Sequence, residues 1–446
     1  MEKNNVILQE NCKKDKVKTI LFVVMIVSFL CALFSTIFCV SLYEHTFSDF
    51  AETLSYCMMQ NPYNGVDGAR SIYPPIAFLP FYLFALICKP ELAQYLENIK
   101  NLSPSESYYP YMVELSQTTN FRIAFILFYL IVTALILLVV AKMSKFKGTK
   151  LVYLLISVFC FSPFVYAFCR GNNIILVGLL VLLFFWLYNS EKRWQRELAN
   201  VCLAAAAAIK IYPLLIALFF IKDRRWMDLL KTICYALALI FLPFLLIKGG
   251  FGNIREIWNN FTTFNSGSGR NESWGNIGFD LFASKIGLSL FGSKTLYSLL
   301  SKFLRYGAII VTLVAIVLSK NTKHKFQPAL MVILTYELWM GVSYYYTMCA
   351  LIYPVIMYII CFNDLSKFDK WFYGICFAFI AIPVPFWFIF ENFFVCQLAG
   401  IALLIKTYID LFTDFQARKK HKPLEKVETK EIERQEKWRL INLQHN

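Results

Sequence analysis

Histidine is scarce in this chain of 446 residues, which contains only four, at positions 45, 324, 421 and 445. They are scattered, and no two of them have the spacing of a metal-binding motif. We therefore expect no histidine metal site, and nothing else in the sequence predicts a metal ion or another cofactor.

Signatures of soluble nucleotide-binding and hydrolytic folds are also missing. The sequence contains no Walker phosphate loop, no Gly-x-Gly-x-x-Gly, no His-Glu-x-x-His and no Gly-x-Ser-x-Gly. These motifs hold phosphates, zinc or a nucleophilic serine. The thirteen cysteines include no Cys-x-x-Cys pair, and most of them lie inside apolar runs. They are expected to pack as small hydrophobic side chains rather than to form disulfides.

Charged residues make up only 16% of the chain against 58% hydrophobic residues, and the mean hydropathy is +0.54. A soluble domain rarely reaches these values. A helix of about 20 apolar residues spans the bilayer core and satisfies its own backbone there. Such runs lie near residues 19–43, 121–141, 151–169, 174–189, 232–247, 303–319, 328–347, 348–362, 372–390 and 393–413. With two less regular runs, we predict an all-α polytopic membrane protein with about 11–13 membrane helices.

The net charge of +15 comes from basic residues that gather in short loops and tails, so it does not indicate a nucleic-acid partner. Four lysines between residues 142 and 150, for example, share a loop that contains no acid. Such loops stay in the cytoplasm by the positive-inside rule. We therefore expect a cytoplasmic N-terminus (1–18), a membrane domain (19–413) and a basic cytoplasmic tail (414–446).

Three polar stretches form the expected outer loops, at 44–72, 89–120 and 249–277. The first has four acids and one base, which places it outside. The segment from Ser48 to Met59 is a candidate surface helix. Another is predicted from Pro90 onward, because its apolar residues share one helical face: Leu92, Tyr95, Leu96 and Ile99.

The two less regular apolar runs, 73–88 and 199–221, carry residues that disturb a membrane helix. Pro80 interrupts the first, and Lys210 and Pro213 interrupt the second. The charge bias places both ends of each run on one side, so each either dips and returns or is split. Broken backbone at membrane depth needs the cover of protein or of a water-filled cavity. We infer a cavity near these two segments.

Asp49 puts a carboxylate in the first outer loop, just beyond the first long apolar run. It has two readings. It could cap a short surface helix, with Glu52 at the third position of the helix. It could instead be the base of an enzyme that works on lipid-borne substrates.

Lys210 lies in an otherwise apolar run, directly after Ala-Ala-Ala-Ala-Ala-Ile. An ionisable group at membrane depth costs at least about 2.5 kcal/mol, so it predicts a functional role. The alternative is a lysine that reaches the interface from a short half-helix.

The turn Arg-Gly-Asn-Asn at 170–173 links two apolar runs. A guanidinium and backbone N–H groups can share one anion, so Arg170, Asn172 and Asn173 are candidates for a phosphate-binding turn. An ordinary connection between two spans is the other reading.

A polar loop at 265–276 carries Arg270 and one aromatic residue, Trp274. This loop could line a sugar site with the indole stacked on a pyranose ring, or it could be a mobile connection. Farther along, Glu337 and the three tyrosines 344–346 add polar groups to a span. Glu337 could pair with Lys210 or line a substrate path.

Several of these elements occur in an informative order. Asp49 is followed by Asn-Pro-Tyr (61–63), Tyr-Pro-Pro (73–75), Arg-Gly-Asn-Asn (170–173), Ala-Ile-Lys-Ile-Tyr-Pro (208–213) and Arg-Arg-Trp (224–226). Over roughly residues 20–280 the chain thereby resembles glycosyltransferase family 87. These are membrane mannosyltransferases of the GT-C superfamily that include the bacterial polyprenol-phosphate-mannose-dependent enzymes. The turn at 171–173 departs from the Gly-Gln-x-Asn of many relatives.

The resemblance implies a GT-C-type bundle in a bacterial plasma membrane, with its active site outside the cytoplasm. It implies an inverting hexosyl transfer, of mannose first, from a polyprenyl-phosphate donor to a glycolipid or glycan acceptor. Asp49 would be the base, and Lys210 and Arg170 would bind the donor phosphate without a metal. The further substrate-site candidates are Tyr73, Asn172, Asn173, Tyr212, Arg270 and Trp274.

A lipid-linked sugar flippase or another secondary transporter is the rival reading. It would use the same outer loops, charged intramembrane residues and broken helices. An enzyme should gather Asp49, Arg170 and the 265–276 loop on one face, whereas a transporter should hold its charges near the midplane. A scaffold without activity would leave Lys210 and Glu337 unexplained unless they pair.

Overall fold

The computed structural model describes residues 18–30, 32–33, 47–64, 70–100, 102, 108–266, 276–340, 343–381 and 394–443. These residues are predominantly helical and contain no β-strand, only an isolated bridge between Asn276 and Tyr344. The predicted all-α class is confirmed.

The α-helices are numbered in chain order. They are α1 Lys18–Leu30, α2 Ser48–Met58, α3 Tyr82–Ile87, α4 Lys89–Lys100, α5 Tyr109–Gln117, α6 Thr119–Ser144, α7 Thr149–Phe159, α8 Ser162–Arg170, α9 Ile174–Leu187, α10 Arg193–Ile209, α11 Leu218–Lys222, α12 Trp226–Phe241, α13 Asn253–Ser266, α14 Phe279–Ser284, α15 Lys294–Leu318, α16 Phe326–Trp339, α17 Ile352–Cys361, α18 Lys367–Ala381 and α19 Phe394–Leu443.

Tighter and wider turns join these helices. The 3₁₀-helices are Pro75–Ala77, Leu79–Phe81, Tyr212–Ala217, Leu242–Leu246, Gly250–Gly252, Ser319–Asn321, Tyr345–Leu351 and Phe362–Asp364. A π-helix at Lys285–Leu290 follows α14. Alpha-helix α19 extends through most of the segment expected to be the cytoplasmic tail.

Five helical segments in the described part of the chain are long and apolar enough to cross a membrane. They are Thr119–Ser144, Trp226–Leu246, Lys294–Leu318, Tyr345–Asp364 and Phe394–Lys419. Two bent pairs raise this number to seven, and three further apolar helices are shorter. The predicted 11–13 refers to the whole chain, whereas this number covers the described residues only, among which several apolar runs are divided into short helices. The chain is thus a multi-pass membrane protein in which some of the apolar segments are broken or bent.

The two irregular apolar runs are both broken, as their prolines and charge predict. Alpha-helix α10 ends at Ile209, and Lys210 is extended (φ −140°, ψ 120°) before a 3₁₀ turn begins at Tyr212. Pro213 explains the break, because its ring would clash with the carbonyl four residues earlier in a continuous α-helix. The first run divides into two 3₁₀ turns and α3, and then bends by 112° into α4.

Alpha-helix α4 matches the predicted surface helix in both extent and buried face. Leu92, Tyr95 and Ile99 are buried, and Leu96 is partly buried against the core. The segment from Ser48 is helical as well. Both helices belong to the outer loops of the predicted topology.

The centre of the bundle is α16, in which every residue from Phe326 to Leu338 is buried. It packs against α15, α17, α19 and the 3₁₀-helix Tyr212–Ala217. A helix that is apolar on all sides is expected at such a central position.

Phe50 anchors α2 to the bundle. Its fully buried ring contacts Phe121 and Phe125 on α6, with ring centroids 5.5 and 5.4 Å apart. Burial of such a side chain stabilises the fold by about 1.5–3 kcal/mol. The preceding residue, Asp49, is therefore held in place by the packing of its neighbour.

Gly171 permits the close approach of α2 to the turn after α8. It has φ +72°, and a Cβ there would lie 2.6 Å from the Phe50 Cβ and 3.0 Å from its backbone nitrogen. Only glycine combines this conformation with that contact. The turn and the start of α2 are thus in direct backbone contact.

We predict that Gly171→Ala lowers the free energy of unfolding by about 1–3 kcal/mol, because it adds overpacking to backbone strain. Thermal unfolding in detergent measures the effect. The matched control is Gly148→Ala, since Gly148 also has positive φ but no atom within 4 Å of an added Cβ. Equal losses in the two variants would contradict the close-approach argument.

Candidate active site

The centre of the site is a two-pronged ion pair between Asp49 and Arg170. Arg170 Nε donates to Asp49 Oδ2 at 2.9 Å, and Nη2 donates to Oδ1 at 2.8 Å. The two side chains are only 17% and 25% exposed, respectively. Bidentate, charge-assisted bonds of this kind are strong and fix the relative orientation of both groups.

Asn172 adds a third hydrogen bond to the same carboxylate. Its Nδ2 donates to Asp49 Oδ2 at 2.7 Å, and its Oδ1 accepts from the backbone N–H of Ile174 at 2.9 Å. The second bond orients the amide, because the oxygen is used by the backbone and only the NH₂ group can meet Asp49. The predicted turn therefore binds a carboxylate of the protein itself.

Backbone contacts hold the segments of the site together. The N–H of Phe47 donates to the Cys169 carbonyl at 2.9 Å, and the Tyr129 hydroxyl donates to the Asn172 carbonyl at 3.1 Å. The start of α2, the end of α8 and the middle of α6 thus form one frame around Asp49.

The capping reading of Asp49 is wrong. The residue before α2 is Phe47, in the left-handed region with φ 65°, and no side chain caps this helix end. Asp49 lies in the first turn, and its carboxylate is bound by Arg170 and Asn172 instead. The charged partner competes better for the carboxylate than a backbone N–H does.

Asp49 is ionised at neutral pH. Burial alone would raise its pKa, but the charge of Arg170 and the hydrogen bonds from Arg170 and Asn172 hold the pKa below its usual value. The charge of Lys210 adds to this effect. At neutral pH the site therefore contains a negatively charged carboxylate beside a positively charged guanidinium.

Aromatic rings cover the other side of Arg170. Its Cζ lies 5.7 Å from the centroid of the Tyr346 ring and 6.0 Å from that of Tyr344. The distances suit cation–π attraction. Tyr344 also forms the isolated bridge with Asn276. Asn276, the last residue of the 265–276 loop, is thus linked through Tyr344 to the surroundings of Arg170, whereas residues 267–275 lie outside the described part of the chain.

Lys210 approaches the same site from the break after α10. Its Nζ lies 4.9 Å from the centroid of the Tyr73 ring and 3.5 Å from the Tyr73 hydroxyl, at the limit of a hydrogen bond. Among the described residues no carboxylate lies within ion-pairing distance of this Nζ, although its charge influences Asp49. Lys210 is thus a cation available to an anionic ligand.

Two predicted site residues have mainly structural contacts. Asn173 is buried, and its side chain donates to the Ala77 carbonyl at 3.4 Å, which joins the turn to the Tyr-Pro-Pro segment. Tyr212 stacks on Tyr336 with centroids 5.1 Å apart. The Tyr212 hydroxyl is buried and has no hydrogen-bond partner among the described residues.

The predictions for Arg270, Trp274 and Glu337 have different outcomes. Arg270 and Trp274 lie outside the described residues. Glu337 is buried, and one of its oxygens accepts from the Ser343 hydroxyl at 3.4 Å. No ion pair joins Glu337 to Lys210 in the part of the chain described here.

Sequence reasoning missed the role of Glu52 as a second acid of the site. Burial raises its pKa from 4.5 to about 7, and the charge of Asp49 contributes, although the Tyr56 hydroxyl donates a hydrogen bond to it. The spacing to Asp49 was the available signal, because residues three apart on a helix share a face. The site thus contains one carboxylate that is ionised at neutral pH, Asp49, and one with a pKa of about 7, Glu52.

A comparison with protein families found one match, to glycosyltransferase family 87, over residues 72–341. These residues are more than half of the chain, so the chain belongs to this family. No curated protein matches the chain. The match extends farther toward the C-terminus than the resemblance predicted, and it includes Tyr73, Arg170 and Lys210 but not Asp49.

We predict that Arg170→Gln lowers the free energy of unfolding by about 1–3 kcal/mol, because a partly buried Asp49 is left without its charged partner. Arg170→Lys should recover part of this loss, since a lysine keeps the charge but cannot form both bonds. Denaturation of both purified variants measures the ranking. Equal stability of Arg170→Gln and the native protein would contradict it.

The raised pKa of Glu52 predicts that the stability of the folded protein depends on pH. Its pKa is about 7 in the folded protein and 4.5 ordinarily, so the folded state binds more protons between these values. Its contribution to stability is therefore complete below about pH 4.5 and is lost as the pH rises toward about 7. Glu52→Gln should remove this decline in melting temperature. Exposed Glu114→Gln is the control, and parallel profiles for all three proteins would contradict the assignment.

Proposed function

We propose that this member of glycosyltransferase family 87 is an inverting hexosyltransferase. It moves a sugar, mannose first, from a polyprenyl-phosphate donor to a glycolipid or glycan acceptor on the outer face of the plasma membrane. The observation that carries the proposal is the convergence of Asp49, Arg170 and Lys210. They come from three distant segments: Arg170 forms an ion pair with Asp49, and the charge of Lys210 acts on the same carboxylate.

Asp49 is the proposed base, and its two oxygens are not equivalent. Oδ2 accepts from both Arg170 and Asn172, whereas Oδ1 accepts one short bond, from Arg170, and a distant one of 3.5 Å from Ser48. A carboxylate has about four lone-pair positions, so Oδ1 has capacity for the hydroxyl of an acceptor. We assign proton acceptance to Oδ1.

The lowered pKa of Asp49 is compatible with this role. As the acceptor oxygen bonds to the anomeric carbon, its proton becomes strongly acidic, so a weak base suffices late in the reaction. The bond between the anomeric carbon and the phosphate oxygen breaks at the same time, and the phosphate takes both electrons. Inversion follows from attack opposite to the leaving group.

Lys210 is the proposed partner of the leaving phosphate. Lys210 has no carboxylate partner among the described residues, whereas Arg170 is occupied by Asp49. A fixed positive charge at a developing anion is among the largest contributions to catalysis. We therefore divide the predicted roles, with Lys210 at the donor phosphate and Arg170 as the residue that positions the base.

The tyrosines give the site the character of a sugar pocket. Tyr73 lies against Lys210, and Tyr344 and Tyr346 lie against Arg170. Aromatic rings offer an apolar face with a polar edge, which suits the alternating surfaces of a hexose. They also reduce the water around the charges and so strengthen the electrostatic interactions there.

One observation favours the alternative of a lipid-linked sugar flippase. The hydroxyls of Tyr212 and Tyr336 and the Oε1 of Glu337 are buried without hydrogen-bond partners among the described residues. Polar groups of this kind are expected along a substrate path. A flippase would move the sugar past them and form no glycosidic bond.

The test is transfer of radiolabelled sugar from a polyprenyl-phosphate donor by purified protein in lipid, with a lipid extract as acceptor. Asp49→Asn should reduce the rate about 10²–10⁴-fold, because general base catalysis is worth that much. Asp364→Asn is the matched control at an exposed position. All proteins are first checked for monodispersity and melting temperature.

The outcomes separate the alternatives. Equal transfer rates for the native protein and Asp49→Asn would support the transferase function but contradict the assignment of Asp49 as the base. Failure of both with several donor sugars, together with movement of the donor across vesicle membranes, would favour the flippase.

Lys210 provides a separate prediction. Lys210→Gln should lower the transfer rate about 10²–10³-fold, since one stabilising group at the leaving oxygen is lost. Lys210→Arg should retain more of the rate because the charge remains. A rate of Lys210→Gln equal to that of the native protein would place the donor phosphate elsewhere.

A further inference from the structure

A polar cavity of about 320 Å³ lies between α14, α15 and the end of α16. Its lining includes Asp280, Ser301, Lys302, Arg305 and Trp339. Three of these residues come from α15, and Arg305 is four residues from Ser301 and three from Lys302, so it neighbours both on the helix surface. None of them belongs to the site around Asp49.

The negative charge of this cavity is already paired. Asp280 is 5% exposed, and it accepts a hydrogen bond from the Ser301 hydroxyl and forms an ion pair with Arg305 at 3.5 Å. Arg305 in turn lies 5.3 Å from the centroid of the Trp339 ring. These contacts build the wall of the cavity and hold the guanidinium in place.

The positive charge of the cavity is in excess. Lys302 has no carboxylate partner within the described part of the chain, so the cavity has one more cation than anions. The Nε1 of Trp339 is buried and has no hydrogen-bond partner there either. Ammonium, guanidinium and indole N–H are all donors, so the unsatisfied chemistry of the cavity is that of an anion-binding site.

The surroundings of the cavity suggest that its ligand carries acyl chains. Alpha-helix α15 is one of the candidate membrane spans. Next to the charged residues it exposes Leu299 and Phe303, which are 65% and 72% exposed. A lipid lying along these side chains would bring its headgroup to Lys302. The same donors would also suit free phosphate.

The cavity lies close to the candidate active site along the chain. Trp339 is five residues from Tyr344, and Asp280 is four residues from Asn276, which pairs with Tyr344. Fully extended, these segments span at most about 18 Å and about 14 Å. Tyr344 itself lies 6.0 Å from Arg170. The cavity and the candidate active site are therefore joined by two short segments of the chain.

We propose that this cavity binds the phosphate of a phospholipid-anchored acceptor and thereby presents the acceptor's sugar to Asp49. Lys302 holds the phosphate beside the wall that Arg305 and Asp280 form, and the acyl chains lie along α15. The claim that the bound lipid is the acceptor rests on the proposed transferase function. The claim that the cavity binds a lipid phosphate is independent of that function, and it is tested in the absence of a sugar donor.

The probe is dioctanoyl phosphatidic acid, titrated into the purified full-length protein in a neutral detergent and followed by calorimetry. Lys302→Gln should weaken binding at least about tenfold, because one charge-assisted bond is lost. Lys294→Gln, on the same helix and outside the cavity, should bind like the native protein. Arg305→Lys is a second variant that keeps the charge beside Asp280.

Three results would overturn the site. They are no binding by the native protein, equal binding by Lys302→Gln, and equal binding of uncharged dioctanoylglycerol. Competition by inorganic phosphate at the concentration that saturates the lipid would show a free-phosphate site and overturn the lipid assignment.

The acceptor role has its own readout in the transfer assay. Lys302→Gln should raise the KM for the acceptor and leave the KM for the donor unchanged. An unchanged acceptor KM, with lipid binding lost, would overturn the acceptor role alone. Asp49→Asn should bind the lipid normally, so a failure of the transferase proposal is distinguishable from a failure of this one.

Discussion

The two-pronged pair between Asp49 and Arg170 is the constraint on which the rest of the site depends. It removes a carboxylate and a guanidinium largely from water, which is favourable only when both groups are well paired. The pair therefore requires a fixed backbone on both sides. Phe50 in its aromatic cluster, Gly171 against α2 and the oriented amide of Asn172 all provide that rigidity.

Broken helices put the remaining chemistry in place. A continuous α10 would carry Lys210 on a helix surface, whereas the break before Pro213 leaves it extended beside Tyr73. The run 73–88 is likewise divided, and the Ala77 carbonyl at the end of its first 3₁₀ turn accepts from Asn173 in the turn at 171–173. The broken spans reduce the number of long membrane helices and at the same time bring the residues of the candidate site together from distant segments.

In both proposed sites, one basic residue is paired with a carboxylate and another has no carboxylate partner among the described residues. Arg170 is committed to Asp49 while Lys210 has no carboxylate partner in the described structure, and Arg305 is committed to Asp280 while Lys302 has none there. In each case a paired cation builds the wall and a second cation is left for a ligand. Such an arrangement suits a reaction between two phosphate-bearing lipids, because each needs its own positive charge.

The sequence by itself determined the all-α membrane class, the breaks at Lys210 and in 73–88, the surface helix from Pro90 and the family, because hydropathy, proline and motif order are local properties. It also singled out Asp49, Arg170 and Lys210 by their unusual surroundings. Only the tertiary structure decided that Asp49 binds Arg170 rather than a helix end, that Glu52 titrates near neutrality and that Glu337 forms no ion pair with Lys210. These outcomes depend on distances between segments more than a hundred residues apart and on burial, which no local pattern encodes.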